Sequence, residues 1–383
     1  MRCYKFQLKP SNKQNLKLLD NLETSRFLYN KLLEVMTKNN IKSKNELSKY
    51  LTWMKKQDDY KFLNNYYSKM LQPIIDRLYS NIKGLAISKK NGNKIGKLRF
   101  KGQRWFKTIM YNQSGFKLMD TKGHYNILSL SKIGDIKIRQ HRNIEGNIKS
   151  IIIKRKVSSW EAHIITDAKY TLESGSKMLG IDMGVMSFLT TSENEHIDNP
   201  LFLNKSLSKV KDRHRKISMT KKRSKNRKKQ CLKLERLWEH INNQKNDFFH
   251  KISTKLVRSC RFIAVEKLNI KSMTSNDKNK HYNHRNILDS SWGRFLSMLK
   301  VKAESAGIQY IEVDPKNTSK MCHKCGSIKS MPLNVRMYQC DCGMLIDRDH
   351  NAAINILSKG LASVGVDTLV SSMKQEAPSF RVG

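Results

Sequence analysis

The chain has 383 residues, enough for two or three domains that each bury a core. It carries 74 lysines and arginines against 32 acidic residues, a formal net charge of +42. A surplus of this size repels itself unless a polyanion neutralises it, which favours nucleic acid over an anionic membrane as the partner. No run of 18 apolar residues, signal-peptide core or lipidation motif indicates a membrane partner, so we expect a cytoplasmic protein. Composition alone does not separate a ribosomal protein, a repressor and a nuclease, and it leaves the oligomeric state open.

The first half of the sequence predicts a β domain with helices added to it. Residues 1–10 alternate polar and apolar side chains like a strand, and apolar residues from Gln14 to Met36 recur at helical spacing. Residues 45–87 are typical of a helical insert, whose last helix we expect to begin just before Pro73 because proline is tolerated in the first turn. Short alternating runs in residues 95–170, separated by Gly, Asn and Ser, predict a small β-barrel.

An α/β unit is predicted after Gly175. It opens at 178–191 with a buried strand, a turn and a second strand, followed by a helical hairpin at 203–258 and a strand at 261–268. A further helix, a further strand and a last helix are expected at 292–306, 308–314 and 350–358. Strands that alternate with helices are typical of an α/β fold.

Four of the seven cysteines cluster near the C-terminal end of the sequence. A glycine directly follows each of the pairs Cys322-x2-Cys325 and Cys340-x-Cys342, where a tight turn would let backbone N–H groups face the sulfurs. Four unpaired buried cysteines, or two disulfides, are the alternatives. Four thiolates suit one tetrahedral Zn²⁺ and leave no position for water, so we predict a structural zinc site.

Three acidic positions stand out in a chain with few acids. Asp182 and Glu266 each lie in an apolar strand, although one could be a turn residue and the other could pair with a nearby lysine or arginine. Asp349 begins a helix rich in small residues, with Asp347 two residues earlier, and an acid there could simply cap the helix. Alanines in this helix would let it pack closely on a sheet and bring its acid to the strand ends. Three carboxylates suffice to hold two Mg²⁺ ions for phosphodiester hydrolysis.

The order of these motifs closely resembles the transposon-encoded TnpB family, ancestors of compact type V CRISPR effectors. The segments that carry the resemblance are GIDMG (180–184), AVEKL (264–268), CHKCG (322–326) and CDCGMLIDRDHNAAINIL (340–357), with looser matches at RFLYN (26–30), MLQ (70–72), GKLRFK (96–101) and LDSSWGRF (288–295). The resemblance implies a metal-binding, catalytic role for Asp182, Glu266 and Asp349, with Asp347 as the alternative to Asp349.

The resemblance also implies an α/β fold: an RNase H-like (RuvC) nuclease core with an inserted zinc ribbon, and an N-terminal β-barrel wedge domain that carries a helical recognition insert. The implied boundaries are 1–38 and 92–176 for the wedge, 39–91 for the recognition insert, 177–320 and 344–359 for the nuclease, 321–343 for the ribbon and 360–383 for a flexible tail.

The function implied is that of an RNA-guided DNA endonuclease with two catalytic Mg²⁺ ions and one structural Zn²⁺. Its partners would be a transposon-derived guide RNA and double-stranded target DNA, and its location the cytoplasm of a prokaryote, in association with the nucleoid. Base pairing would supply specificity while the protein reads a short motif beside the target. The residues matched to this reading role are Gln72, Tyr111, Asn112 and Gln113, although Gln72 and Asn112 could equally be solvated polar residues.

A basic run supplies further candidates for nucleic-acid contact. Residues 205–229 include thirteen lysines and arginines, among them Lys221, Lys222, Arg223 and Lys225. The alternative is a solvated helix face, but the overall charge favours contact with the guide RNA or the heteroduplex. Two other functions are alternatives. The intact set of three acids argues against a guided or unguided DNA-binding repressor that does not cleave, and the ribbon insertion and basic helical lobe disfavour a junction resolvase or transposase built on the same core.

Overall fold

The computed structural model describes residues 1–365 except 40, 42, 122, 170–171, 270–272, 274–280 and 333–334, and it leaves out the side chains of 281–284. The chain divides into two compact units, Met1–Lys169 and Tyr170–Gly383. This division falls seven residues before the predicted start of the nuclease core at 177, where the first strand of the second unit begins.

An antiparallel sheet of seven strands forms the centre of the first unit. The strands are β1 (Arg2–Lys9), β2 (Thr108–Asn112), β3 (Phe116–Met119), β4 (Asn126–Leu130), β5 (Gly134–Arg139), β6 (Ile148–Arg155) and β7 (Trp160–Thr166). Their order is β2-β6-β7-β1-β5-β4-β3, and in the described part of the chain no pairing joins the end strands β2 and β3. A β domain in this region is therefore observed, whereas closure into a barrel stays a prediction.

The helices of the first unit are α1 (Asn12–Lys38), α2 (Lys44–Met54) and α3 (Ser68–Lys90), with a 3-10 helix at Asp58–Asn65. Helix α1 begins at a capping box, in which Ser11 accepts from the backbone of Gln14 and the Gln14 side chain accepts from the backbone of Ser11. Helix α3 begins five residues before Pro73, so the expectation that this proline lies in the first turn is wrong. The apolar face that continues on both sides of Pro73 is buried, and this packing outweighs the missing backbone hydrogen bond.

The second unit contains a mixed sheet of five strands, in the order β10-β9-β8-β11-β12. The strands are β8 (Lys177–Met183), β9 (Ser187–Thr191), β10 (His196–Asp198), β11 (Cys260–Glu266) and β12 (Gln309–Val313). The first three form an antiparallel meander, while β11 runs parallel to both β8 and β12. The carboxyl ends of β8 and β11 therefore lie side by side.

Helices cover both faces of this sheet. The second unit contains α4 (Phe202–Ser218), α5 (Lys225–Ser259), α6 (His281–Ser290), α7 (Trp292–Ser305) and α8 (Arg348–Ser363). Leu179, Ile181 and Val265 share a core with residues of α5 and α7, whereas Phe262 and Ala264 share one with α8. Because side chains alternate along a strand, α8 alone of these three helices packs on the even-numbered face of β8 and β11.

A small hairpin leads directly into α8. Strands β13 (Met337–Gln339) and β14 (Leu345–Asp347) pair antiparallel, and α8 starts at the next residue. The helix continues to Ser363, so the expected flexible tail cannot begin at 360; its remainder from 366 lies outside the described residues. Among the described residues, no helix is long and apolar enough to cross a membrane.

Candidate active site and metal centre

Asp182 and Glu266 occupy matching positions at the ends of two neighbouring strands. Val265 of β11 pairs in parallel with Ile181 of β8, so the next residue of each strand is one of these two acids. Side chains two residues apart lie on the same face of a strand, so the acids share a face with Gly180 and Ala264. That face is the one covered by α8.

Close packing of α8 on the sheet brings a third acid to the same place. A Cβ atom added to Gly180 would collide with the backbone oxygen of Ala353 and lie 2.6 Å from the backbone nitrogen of Leu357. Only glycine therefore permits this approach. Asp349 lies one turn before Ala353, on the same face of the helix. The first turn of α8 thus carries Asp349 towards the strand ends that bear Asp182 and Glu266.

Asp182 is subject to the charges of both other acids. Burial raises the pKa of Asp182 well above its usual range, and the charges of Glu266 and Asp349 raise it further. Like charges that meet in a partly buried place oppose each other's ionisation, and a bound cation removes that penalty. The donor set therefore suits hard divalent cations such as Mg²⁺.

Each of the other two acids has a neighbour that favours its ionised form. Burial raises the pKa of Glu266, while a hydrogen bond from the Thr318 hydroxyl and the charge of Lys359 lower it. Burial also raises the pKa of Asp349, and Arg336 opposes this, with its Nη1 3.3 Å from Oδ2. The Arg336 side chain is half exposed, so it can leave Asp349 at little cost.

Asp347, the alternative third acid, caps α8. Its Oδ1 accepts hydrogen bonds from the backbone nitrogens of Asp349 and His350, both at 2.9 Å. The capping role that the sequence left open for either acid is therefore filled by Asp347. Asp349 keeps its carboxylate available for another partner.

The four clustered cysteines form a much tighter group than the acids. Their sulfur atoms all lie within 4.8 Å of one another, and this is the only such group of His, Cys, Asp or Glu side chains among the described residues. The Sγ atoms of Cys322 and Cys342 are 3.7 Å apart, and those of Cys325 and Cys340 are 3.5 Å apart. Sulfurs about 2.3 Å from a tetrahedral Zn²⁺ ion would be about 3.8 Å apart. The cysteines are free rather than bonded in disulfides, and they could hold one zinc ion.

Two tight turns gather the cysteine sulfurs, and the thiolate is favoured at Cys340, whereas the pKa of Cys342 is raised to about 12 by hydrogen bonding with the neighbouring sulfurs. Gly326 and Gly343 have φ values of +77° and +82°, and their backbone nitrogens donate to the carbonyls of Cys322 and Cys340. These are the tight turns expected from the sequence. Hydrogen bonds from the Cys342 backbone and the Ser327 hydroxyl lower the pKa of Cys340 to about 6.

Two buried asparagines join the cysteine cluster to the helix that carries Asp349, and sequence reasoning missed them. Asn351 and Asn355, which are 0% and 1% exposed, both donate to the carbonyl of Met321, directly before the first cysteine. Asn355 also donates to the carbonyl of Thr318, whose hydroxyl binds Glu266. The signal was available: two asparagines four residues apart lie on one face of a helix, here among small and apolar residues.

The residues expected to read a motif beside the target fall into two groups. Gln72 and Gln113 are exposed and Asn112 is half-buried. A hydrogen bond of 2.9 Å from Lys69 to Ser114 joins the first turn of α3 to the residue after Gln113. The reading role predicted for Tyr111 is wrong. This side chain is fully buried, stacks on Tyr67 and donates a hydrogen bond to the carbonyl of Ser131. Alternation along β2 points its side chain into the core, so its hydroxyl is not available to a base edge.

The basic run forms the exposed connection of the predicted helical hairpin. Lys221, Lys222, Arg223 and Lys225 are exposed at the junction of α4 and α5, and no ion pair with an acid is recorded for them in the described part of the chain. Arg227 instead donates to the carbonyl of Ile217 and so closes the hairpin. Free cations in a connection of this kind suit a polyanionic partner.

The fold is similar to that of a Cas12f1 protein. The chain aligns with a protein in a cryo-EM structure of a Cas12f1–sgRNA–target DNA complex with a TM-score of 0.59 and 16% identity, covering 90% of this chain and 82% of that one. A family profile described as a Cas12f1-like TNB domain matches residues 292–356, which include the cysteine cluster. Two further profiles match, one described as "Probable transposase" at residues 163–277 and one as a helix-turn-helix domain at residues 1–43. In this structure residues 1–39 form a strand and one long helix, with no turn between two helices.

Relatives identify the family. The chain is 30% identical over 374 residues to a Streptomyces pristinaespiralis protein named "Putative RNA-guided DNA endonuclease", covering 94% of this chain and 90% of that protein. It is 26% identical to the Escherichia coli protein InsQ, which has the same description, over 98% and 97% of the two chains. A mimivirus TnpB-like protein, L79, is 34% identical over 50% of this chain and 39% of its own length. The chain belongs to the TnpB family.

Proposed function

We propose that the protein is an RNA-guided DNA endonuclease that hydrolyses phosphodiester bonds with two Mg²⁺ ions held by Asp182, Glu266 and Asp349. The observation that carries this proposal is that these carboxylates reach one face of the sheet from three distant segments, where burial and the charges of Glu266 and Asp349 raise the pKa of Asp182. The names of the full-length relatives support the reaction and the guide.

The protein groups at this place have distinct tasks. Asp182 is subject to the charges of both Glu266 and Asp349, so it would hold metal together with each of them. The chemistry that two Mg²⁺ ions would supply here is Lewis-acid activation of water and stabilisation of the leaving oxygen. Thr318 orients Glu266, and the capping by Asp347 fixes the first turn of α8 and hence Asp349. In this proposal the zinc held by the four cysteines is structural, because no ligand position is left for water.

The guide and target would be held by charge and read by few side chains. The basic connection at residues 221–225 contacts the phosphate backbone of the guide RNA or heteroduplex. The affinity that such contacts supply falls as the salt concentration rises. Gln72, Asn112 and Gln113 read the motif beside the target, since amides bond base edges in a groove. The sheet of the first unit is then the wedge domain, and α2 to α3 the recognition insert.

Substitution of the acids tests this proposal. The protein should copurify with one defined RNA that has a variable segment, and it should cleave a plasmid that matches this segment beside a suitable motif. Asp182→Asn, Glu266→Gln and Asp349→Asn should each reduce cleavage at least about 100-fold, because even residues that only orient a metal ligand cost 10- to 100-fold. Target binding should persist, since the phosphate contacts are unchanged.

Two variants serve as controls. Asp198→Asn changes an exposed acid at the end of β10 and should cleave normally. Asp347→Asn keeps a good helix cap and should retain most activity. Cleavage by Asp182→Asn at the parent rate would refute the assigned site. A parent protein that binds its target and never cuts it would instead be a guided repressor.

A further inference from the structure

A cleft of about 320 Å³ opens in the N-terminal unit, and none of the residues assigned so far lines it. Its lining includes Tyr29 of α1, Arg77 of α3, and Lys101, Trp105 and Lys107 from the segment before β2. The volume falls at the lower end of the range of roughly 300–1,000 Å³ that is typical of small-molecule sites.

The wall of the cleft is fixed to α1. The Asn30 side chain donates to the carbonyl of Lys101 at 3.0 Å and accepts from its backbone nitrogen at 2.7 Å. Arg26 donates to the same carbonyl at 3.3 Å. These contacts join RFLYN (26–30) to GKLRFK (96–101), two of the looser sequence matches, and so give both segments one structural purpose. These hydrogen bonds from α1 fix the backbone position of Lys101.

A turn after Lys101 exposes one aromatic side chain and buries the next. Arg104 has a φ of +64°, a left-handed conformation that is unfavourable for a residue with a Cβ atom, and Trp105 donates to the carbonyl of Gly102. Trp105 is left 64% exposed while Phe106 is 4% exposed. Residues in strained backbone conformations cluster at functional sites such as ligand clamps.

Positive charge lines the cleft without acidic neutralisation. The Arg77 guanidinium lies 4.9 Å from the ring centroid of Phe106 and donates to the Thr108 hydroxyl at 2.6 Å. The Lys101 ammonium lies 4.6 Å from the ring centroid of Trp105. Across the residues that the structure describes, no ion pair is recorded for Arg77, Lys101 or Lys107. Most of the guanidinium donors of Arg77 are thus available to an acceptor or an anion.

An exposed aromatic ring beside cations without acidic partners suits a nucleotide, since the ring can stack on the base and the cations can bind the phosphate. Aromatic side chains stack on bases of any sequence, and a guanidinium or ammonium binds phosphate. We propose that this cleft binds one unstacked nucleotide of a single strand, with its base on Trp105 and its phosphate between Lys101 and Lys107. Arg77 and the Thr108 hydroxyl meet the base edge from the floor of the cleft. The site is distinct from the cutting residues and from those proposed to read the adjacent motif; the proposal rests on the proposed function only for the presence of a nucleic-acid partner.

Photocrosslinking with short oligonucleotides tests the proposal. The probes are single-stranded RNA that contains 5-iodouridine and single-stranded DNA that contains 5-iodo-deoxyuridine, added to the full-length Asp182→Asn protein after removal of bound RNA. We expect a crosslink at Trp105, located by mass spectrometry. A crosslink with the RNA probe alone would assign the site to the guide, and one with the DNA probe alone would assign it to a displaced DNA strand.

Binding by matched tryptophan variants provides the second measurement. Trp105→Ala should weaken binding of the crosslinked probe about 5-fold or more, and Trp105→Phe should weaken it less, because phenylalanine retains a stacking face. Trp53→Ala is the control, since Trp53 is 49% exposed in the same unit and lies outside the cleft. Both tryptophans are exposed, so both alanine variants should keep the thermal unfolding temperature of the parent.

The outcomes separate this site from the proposed function. Equal affinity of Trp105→Ala and Trp53→Ala for both probes, with crosslinks only outside residues 101–108, would overturn the nucleotide site even if the parent cleaves DNA. Conversely, Trp105-dependent binding in a protein that never cleaves would leave the nucleotide site standing and remove the endonuclease proposal.

Discussion

The two candidate metal centres of the C-terminal unit are built in opposite ways. The four cysteines come from 21 consecutive residues, and their own turns gather the sulfurs within 4.8 Å. The three acids come from β8, β11 and α8, and they are not gathered to that distance. Four soft ligands that enclose one ion must converge tightly, whereas acids that share two ions about 3.5–4 Å apart must spread around them. The cysteine cluster is therefore a local centre, and the three acids form a dispersed centre that depends on the pairing of β8 with β11 and on α8.

The two centres nevertheless share a structural element. Strand β14 closes the second cysteine turn and ends at Asp347, which caps the helix that carries Asp349. Asn351, on the same helix, accepts from the backbone of His323 inside the first cysteine turn. The cysteine centre therefore positions one acid directly, whereas Asp182 and Glu266 depend on the strand pairing.

The largest expected effect comes from breaking the local centre. Cys340→Ser should lower the zinc content from one ion per chain to near zero and markedly lower the unfolding temperature. Apparent binding energies of structural zinc reach about 10–16 kcal/mol in small domains, so loss of a ligand is costly. Metal analysis and calorimetry measure both quantities.

Cys231→Ser is the matched control for this comparison. Cys231 is a half-buried free cysteine on α5, far along the chain from the cluster, and its substitution should leave one zinc per chain. Full zinc content in Cys340→Ser, or none in the parent, would show that the cysteine cluster is not a zinc site.

A smaller effect is expected from loosening the dispersed centre without removing a ligand. Thr318 is 1% exposed and its hydroxyl donates to Glu266, so Thr318→Val removes this hydrogen bond and keeps the shape of the side chain. The affinity for Mg²⁺ should fall about 10- to 100-fold, as for other residues that orient metal ligands. Titration with Mn²⁺, followed by electron paramagnetic resonance, measures binding independently of cleavage.

Thr166→Val provides the control, because Thr166 is equally buried but lies in the first unit. Unchanged Mn²⁺ affinity in Thr318→Val would mean that the hydroxyl does not position Glu266. A loss of equal size in both variants would point to a general effect on folding.

The features of this molecule that depend on local sequence spacing could be predicted, whereas those that depend on contacts between distant residues could not. The alternating strands, the helical hairpin, the cysteine turns and the close packing of a small-residue helix all follow from spacing along the chain. Tyr111 and Pro73 were misjudged because tertiary packing decides whether a polar aromatic side chain is buried and how far a helix extends beyond a proline. Thr318 could not be recognised, since its partner Glu266 is 52 residues away in the sequence.

The smallest expected effect is a pH dependence that separates the dispersed centre from ordinary surface acids. Because the folded-state pKa of Asp182 is raised, the folded protein binds a proton more readily than the unfolded chain. The resulting stabilisation is fully present below the unfolded pKa and is lost as pH rises through the raised folded pKa. Without metal, stability should therefore increase as pH falls through this interval, by up to about 1.4 kcal/mol per pH unit.

Asp182→Asn isolates this contribution, because the amide resembles the protonated acid and does not titrate. Calorimetry of parent and variant in a chelator, from about pH 8 to about pH 4, gives a difference from which their shared titrations cancel. The stability of the parent relative to that of the variant should increase as pH falls. Saturating Mg²⁺ should reverse the trend, since bound metal requires the ionised carboxylate. Parallel curves in the chelator would mean that Asp182 lies in an ordinary environment, without the burial and the charges of Glu266 and Asp349 that mark this place as a cation site.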